Sequence, residues 1–243
     1  MSEPNAAGEC EYLTDVEDVY VARGTKPVVA TLGRLAARRA VLELSAGSDA
    51  VGLALAVAGL DVTAIDSSAQ VLDSLEGGAR EAGVVISTLL GSIHDFQGGP
   101  YGLIYLLGNR ISRLLSQDDQ VACFANVSQA LGENGLFVLE TTLSPGCPDG
   151  RLSVGVADDR VVLHTESYDH LTQIRSMITL VGQEQATRIL PSRLRHTSLA
   201  ELDLMARLAG LDLKERWGTW TGDPATRFSP YVISVYALQT VLW

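Results

Sequence analysis

Residues 41–66, VLELSAGSDAVGLALAVAGLDVTAID, concentrate the chain's clearest chemistry. Glu43 sits inside a short apolar run, the small residues Ser45 to Ser48 follow it, Asp49 closes them, and Asp66 ends the next apolar run. A carboxylate at the end of a buried strand accepts from hydroxyls or amines. Gly47 permits a close approach of backbone to a ligand. Further along, His94 lies in GSIHDF, and Asn109, Arg110, Ser112 and Arg113 follow the apolar run YGLIYLLG. A histidine there can move a proton, and an arginine can hold an anion through its fixed fork of donors.

These residues need a scaffold, and the pattern supplies one. Residues 41–44 read as a strand buried on both faces, 50–58 as a helix stopped by Gly59, and 61–66 as a second strand. Before them, residues 12–40 read as helical in two pieces, broken near Gly24 and Pro27, with the second piece over 28–40. After them, Ser67 or Ser68 caps a helix to about Ala82, and 84–90 forms a third strand. A loop over 91–100, a strand over 101–107, a helix over 117–131 and a strand over 136–142 complete the series. Strands alternating with helices at this spacing predict a parallel, doubly wound sheet. Beyond SPGCPDG the period changes. Residues 152–156, 160–167, 171–179 and 186–190 alternate apolar with polar, as an antiparallel meander does. Ser198 and Glu201 have capping-box spacing before a helix, and 211–217 with 231–238 read as a closing hairpin.

Composition excludes several classes. The 243 residues are 47% hydrophobic, enough for a large core, and the formal net charge is −11 with no basic run. That argues against nucleic acid or an anionic membrane as partner. Cys10, Cys123 and Cys147 make neither a disulfide framework nor a metal knuckle, so no metal is expected. The acidic, polar start and the lack of a long apolar run lead to the expectation of a cytoplasmic protein.

The order of elements, LEL before a small-residue turn, VTAIDSS, GSIHDF, the YGLIYLLGN strand end and ELDLMARLAGLDLKERWGTW resemble class I S-adenosylmethionine-dependent methyltransferases. The likeness is to the small-molecule, natural-product type, and it covers the chain from about Tyr12 onward. It implies an α/β, Rossmann-like class I methyltransferase fold. That fold is a doubly wound seven-stranded sheet with an antiparallel β cap after the fifth strand. The implied organisation is a lid over 1–40, a core over 41–143 and 197–243, and a cap over 144–196. The family's first turn reads acidic-x-Gly-x-Gly-x-Gly. Glu43 and Gly47 match it, whereas Ser45 and Asp49 replace glycines. Asp66 matches the acid that takes the ribose hydroxyls, against the plainer reading of a helix cap. Ser92 stands where the family places the Asp that binds the adenine amino group. Asp49 either faces the cofactor's carboxylate, where like charges repel, or caps the next helix.

The resemblance implies S-adenosylmethionine as cofactor, held by Glu43, Ser45, Gly47, Asp66 and Ser92. It puts the substrate near Tyr12, Tyr20 and Arg113, with Asp49, His94, Asn109 and Arg110 as the catalytic candidates. Ordinary packing is an even alternative for the tyrosines. The three departures favour an enzyme that keeps the fold but performs another reaction on a small molecule. An elimination or cyclisation such as aziridine closure with sulfate loss is one such reaction. Conventional N- or O-methyl transfer is the alternative, and a non-catalytic partner subunit is a second. A homodimer or a complex with a second biosynthetic protein remains open. His164, His170 and His196 read as core or surface histidines, Arg193 and Arg195 as solvated charges before an anion site, and Trp217 and Trp220 as packing.

Overall fold

A computed structural model describes residues 25–47, 50–143, 151–157, 160–183 and 186–240. Its seven-stranded sheet runs β10-β11-β5-β4-β1-β2-β3, and a separate four-stranded sheet runs β6-β7-β8-β9. The strands of the large sheet are β1 (Val41–Leu44), β2 (Val62–Asp66), β3 (Ser87–Leu90), β4 (Tyr101–Leu106), β5 (Leu131–Thr142), β10 (Leu211–Trp217) and β11 (Tyr231–Leu238). β1 pairs in parallel with both β2 and β4, and β11 pairs antiparallel with β5 and β10. The chain leaves β1 toward β2 and β3 and later returns on its other side as β4. Strand order therefore reverses between β1 and β4, and the crevice past their carboxyl ends is where such sheets bind ligands.

The helices follow from their apolar faces. α1 (Thr25–Ala36) buries Val28, Leu32 and Ala36 at four-residue spacing. It carries Pro27 in its first turn, where the ring removes an N–H that has no partner inside the helix. The expected break at Pro27 is therefore a helix start. Its end also comes early, because Ala37 and Arg38 both take positive φ. With α2 (Val51–Val57) and α3 (Ala69–Glu81), α1 covers one face of the sheet. α4 (Gln117–Ala130) and α5 (Leu199–Leu208) cover the other around Phe124, Phe137 and Tyr236. The expected third strand shortens to β3, an edge strand whose Leu90 is exposed, because it has a neighbour on one side only.

The expected cap is present as β6 (Arg151–Ala157), β7 (Arg160–Asp169), β8 (Ile174–Gln183) and β9 (Ala186–Arg195). Met177, Thr179 and Val181 are buried on one face, whereas Ile178 and Ile189 are 43% and 65% exposed on the other. β9 runs on through PSRLR to Arg195, past the expected end at residue 190, and lies against the short 3-10 turn Arg110–Arg113. The reading of Arg195 as a solvated charge is corrected here, since the residue is 3% exposed. Its guanidinium donates to Gln120 Oε1 at 2.6 Å, Thr197 Oγ1 at 3.0 Å and Glu201 Oε1 at 2.5 Å, and also to Gln173. Gln120, fully buried on α4, in turn donates to the carbonyls of Ile111 and Leu114 at 3.1 Å. One cation thus ties the cap to α4, α5 and the segment after β4. Removing it takes the cation from the Glu201 carboxylate and one donor from each of the Gln120 and Gln173 carboxamide oxygens. Arg195→Met is expected to lower unfolding free energy by about 3 kcal/mol, measured by urea titration. A change within about 0.5 kcal/mol would show the network to be dispensable.

Candidate active site at the carboxyl ends of strands one, two and four

The turn after β1 keeps a glycine-like backbone without glycine at its ends. Ser45 has φ 56 and Ala50 has φ 53, both in the left-handed region that β-carbon sterics disfavour. A serine can stand where the pattern calls for glycine only because the surrounding bonds hold it there. Ala46 N donates to Ile65 O at 3.0 Å, and the Ser45 carbonyl accepts from the Arg110 guanidinium. Glu43 is buried, and its Oε2 lies against Gly52 at the start of α2, where a β-carbon would collide with it. Gly47 is needed for a different reason. The Arg110 guanidinium fills the space its missing side chain would take.

Arg110 owes that position to the turn after β4. Gly108 and Asn109 have φ 63 and 56, and the Asn109 Oδ1 accepts from Ser112 Oγ at 3.1 Å and Thr142 N at 3.4 Å. Its carboxamide oxygen is thus engaged in holding the turn. Arg110 is almost wholly buried, and Arg113, three residues on, is exposed.

Asp66 ends β2 and faces both arginines. Its Oδ1 accepts from Ser68 N at 2.8 Å, while Ser68 caps α3 through Val71 N. Burial raises its pKa above the ordinary 3.8, opposed by the Ser68 amide, then by the fields of Arg110 and Arg113 and by a Ser45 hydroxyl bond. Ser92 and His94 pair with each other, Oγ to Nδ1 at 2.6 Å, and the His94 Nε2 lies 3.9 Å from Asp119 Oδ1 at the start of α4. Asn126 Nδ2 donates to the His94 carbonyl at 2.6 Å. The structure thus joins Ser45, Gly47, Asp66 and Arg110 in one group, and Ser92 with His94 in another. Tyr12, Tyr20 and Asp49 lie outside the described residues.

In the cap, His164 bonds Thr179 Oγ1 at 3.0 Å, and Glu166 accepts from Arg175 Nε at 2.8 Å, so the cap histidine serves its own sheet. His170 packs edge-on to Tyr168. Trp220 is buried as expected. Its indole N–H also donates to Glu140 Oε1 at 2.9 Å, and Glu140 Oε2 accepts from Gly108 N at 2.8 Å. Glu140 was missed in the sequence, although a carboxylate inside the apolar run LFVLE was a visible signal. Among the described residues there is no cluster able to hold a metal ion, and no helix is long and apolar enough to cross a membrane.

This architecture, a seven-stranded sheet with a closing hairpin and an acid at the end of the second strand, defines the class I methyltransferase fold. No protein-family model matches the chain. The cypemycin N-terminal methyltransferase of a Streptomyces species is 27% identical over 207 residues, 83% of this chain and 84% of that protein. The CcbJ methyltransferase of Streptomyces caelestis superposes with a TM-score of 0.83 at 28% identity, covering 93% of this chain and 96% of that one. At 18% identity, S-adenosylmethionine-bound CalS10 of Micromonospora echinaspora, an amino pentose methyltransferase involved in calicheamicin biosynthesis, shares the fold with a TM-score of 0.66 over 97% of this chain and 98% of its own. The relatives and structural neighbours of this chain are class I S-adenosylmethionine-dependent methyltransferases of the natural-product type.

Toward S-adenosylmethionine the residues divide: Asp66 ends β2 with a carboxylate able to accept hydroxyls, whereas the space over Gly47 is filled by the Arg110 guanidinium. Asp66 also supplies a pH test. Its folded pKa lies above the unfolded value, so the group favours the fold when protonated, fully so below the unfolded pKa. That contribution is lost as pH rises through the folded pKa. Asp66→Asn is therefore expected to raise the thermal midpoint near about pH 7, with the gain vanishing by about pH 3. A midpoint lowered at neutral pH would show the carboxylate to be a net stabiliser.

Proposed function

We propose that this chain is a small-molecule enzyme of natural-product biosynthesis. On this reading it has kept the methyltransferase fold and replaced methyl transfer with an intramolecular displacement that releases an anion. The observation that supports it is the Arg110 guanidinium seated against Gly47 and bonded to the Ser45 carbonyl. A buried cation in a methyltransferase's cofactor cradle is suited to an anionic group, and the exposed Arg113 adds to the positive field at Asp66.

The chemistry balances without a co-substrate. A substrate amine attacks a carbon that bears a sulfate-type ester, and the new C–N bond forms as the C–O bond breaks. The electron pair leaves on the sulfate oxygen, which the guanidinium of Arg110 stabilises as charge develops. The proton from nitrogen passes to Asp66, whose affinity for protons is raised by burial. Ring closure within one molecule gains from orientation alone, because both reacting atoms are held together. A second reading, conventional N-methylation of a small molecule, is favoured by Asp66 at the ribose position. The methyltransferase activities of the cypemycin and CcbJ relatives favour it too.

Calorimetric titration separates the two. The proposed reading predicts that sulfate binds, that Arg110→Ala weakens it at least about tenfold, and that S-adenosylmethionine and S-adenosylhomocysteine do not bind up to about millimolar concentration. Micromolar binding of either nucleoside, lost in Asp66→Ala, would restore methyl transfer.

A further inference from the structure

We propose that Glu140 is the positioning residue that sets Arg110 across the cradle and couples it to α1. The functional weight of this role rests on the reading of Arg110 as the anion-holding group. Glu140 is 1% exposed at the end of β5, too deep to touch a ligand directly. One carboxylate oxygen accepts the Gly108 amide at 2.8 Å, the other accepts the Trp220 indole N–H at 2.9 Å, and its own carbonyl accepts the Asn109 amide at 3.2 Å. Gly108 and Asn109 are the two consecutive left-handed residues that turn the chain back after β4. Gly and Asn are the residue types that accept that conformation, and a charged acceptor bonded to the Gly108 N–H fixes the turn they form.

The hold continues outward. Trp220 is 3% exposed, and its carbonyl accepts from Thr31 Oγ1 of α1 at 2.8 Å. A continuous path of hydrogen bonds therefore runs from α1 through Trp220 and Glu140 to Gly108 and Asn109. Arg110 follows directly, and its guanidinium closes on the Ser45 carbonyl over Gly47. Movement of α1 would reach the cradle by this route.

Hydrogen exchange of the ligand-free protein, read by mass spectrometry, tests the role without any substrate. Its failure is thus distinguishable from failure of the anion reading, which the titrations address. Glu140→Gln places an amide N–H against one of two donors. It is expected to speed exchange about tenfold at residues 108–112 and at 45–47, with β8 as an unchanged control. Trp220→Phe removes one of those donors, so the double variant Glu140→Gln with Trp220→Phe is expected to recover most of the protection. Thr31→Val, a milder change, is expected to raise exchange at 45–47 about threefold. Unchanged exchange at 45–47 in Glu140→Gln and Thr31→Val would overturn the proposal. So would a double variant as unprotected as Glu140→Gln.

Discussion

A guanidinium packed against the bare face of Gly47 is the contact on which the rest of the site depends. Any side chain at that glycine would displace it, and any ligand part occupying the same space would have to move it. The charge also orders its surroundings. Burial disfavours the ionised form of Asp66 more than the field of Arg110 favours it, which leaves a carboxylate more ready to take a proton than an exposed one. The fold contributes the place, at the reversal of strand order between β1 and β4. On the proposed reading, the departures at the turn contribute the altered chemistry.

Around that contact the molecule invests in fixing position. Glu140 and Asn109 hold the turn that carries Arg110, and Arg195 locks the cap to the helices behind the same segment. Both are buried ionic or polar hubs, which are expensive to leave half-satisfied and therefore favour one arrangement. Other ionisable groups are neutralised by their settings. Burial pushes the Cys123 thiol up to about 12, so it behaves as a small apolar side chain, and Tyr236 is raised by burial and by Asp203.

Much of this was legible in the chain. The alternation of apolar runs with helical stretches gave a parallel, doubly wound sheet, and the change of period after residue 150 gave the antiparallel meander. Asp66 was singled out by the resemblance, beside the plainer reading of a helix cap, and its Oδ1 accepts from Ser68 N at the start of α3. The Ser45 and Asp49 departures were visible as residue types. Ser45's left-handed backbone was not, since local preference argues against it and only the fold imposes it. Arg195 read as exposed because its neighbours in sequence are polar. Its partners Gln120 and Gln173 lie 75 and 22 residues away, where no local pattern reaches. The partners of Glu140 were hidden in the same way, Gly108 and Trp220 lying at separations of 32 and 80 residues. Pro27 was misread because the same residue that breaks a helix interior is well suited to its first turn.

The most direct test of the account is a crystal structure of the protein grown with excess S-adenosylhomocysteine and sulfate. The account predicts the Arg110 guanidinium against Gly47, with sulfate on it and no nucleoside in the crevice. A nucleoside with its ribose hydroxyls on Asp66 and Arg110 swung out of the cradle would contradict it.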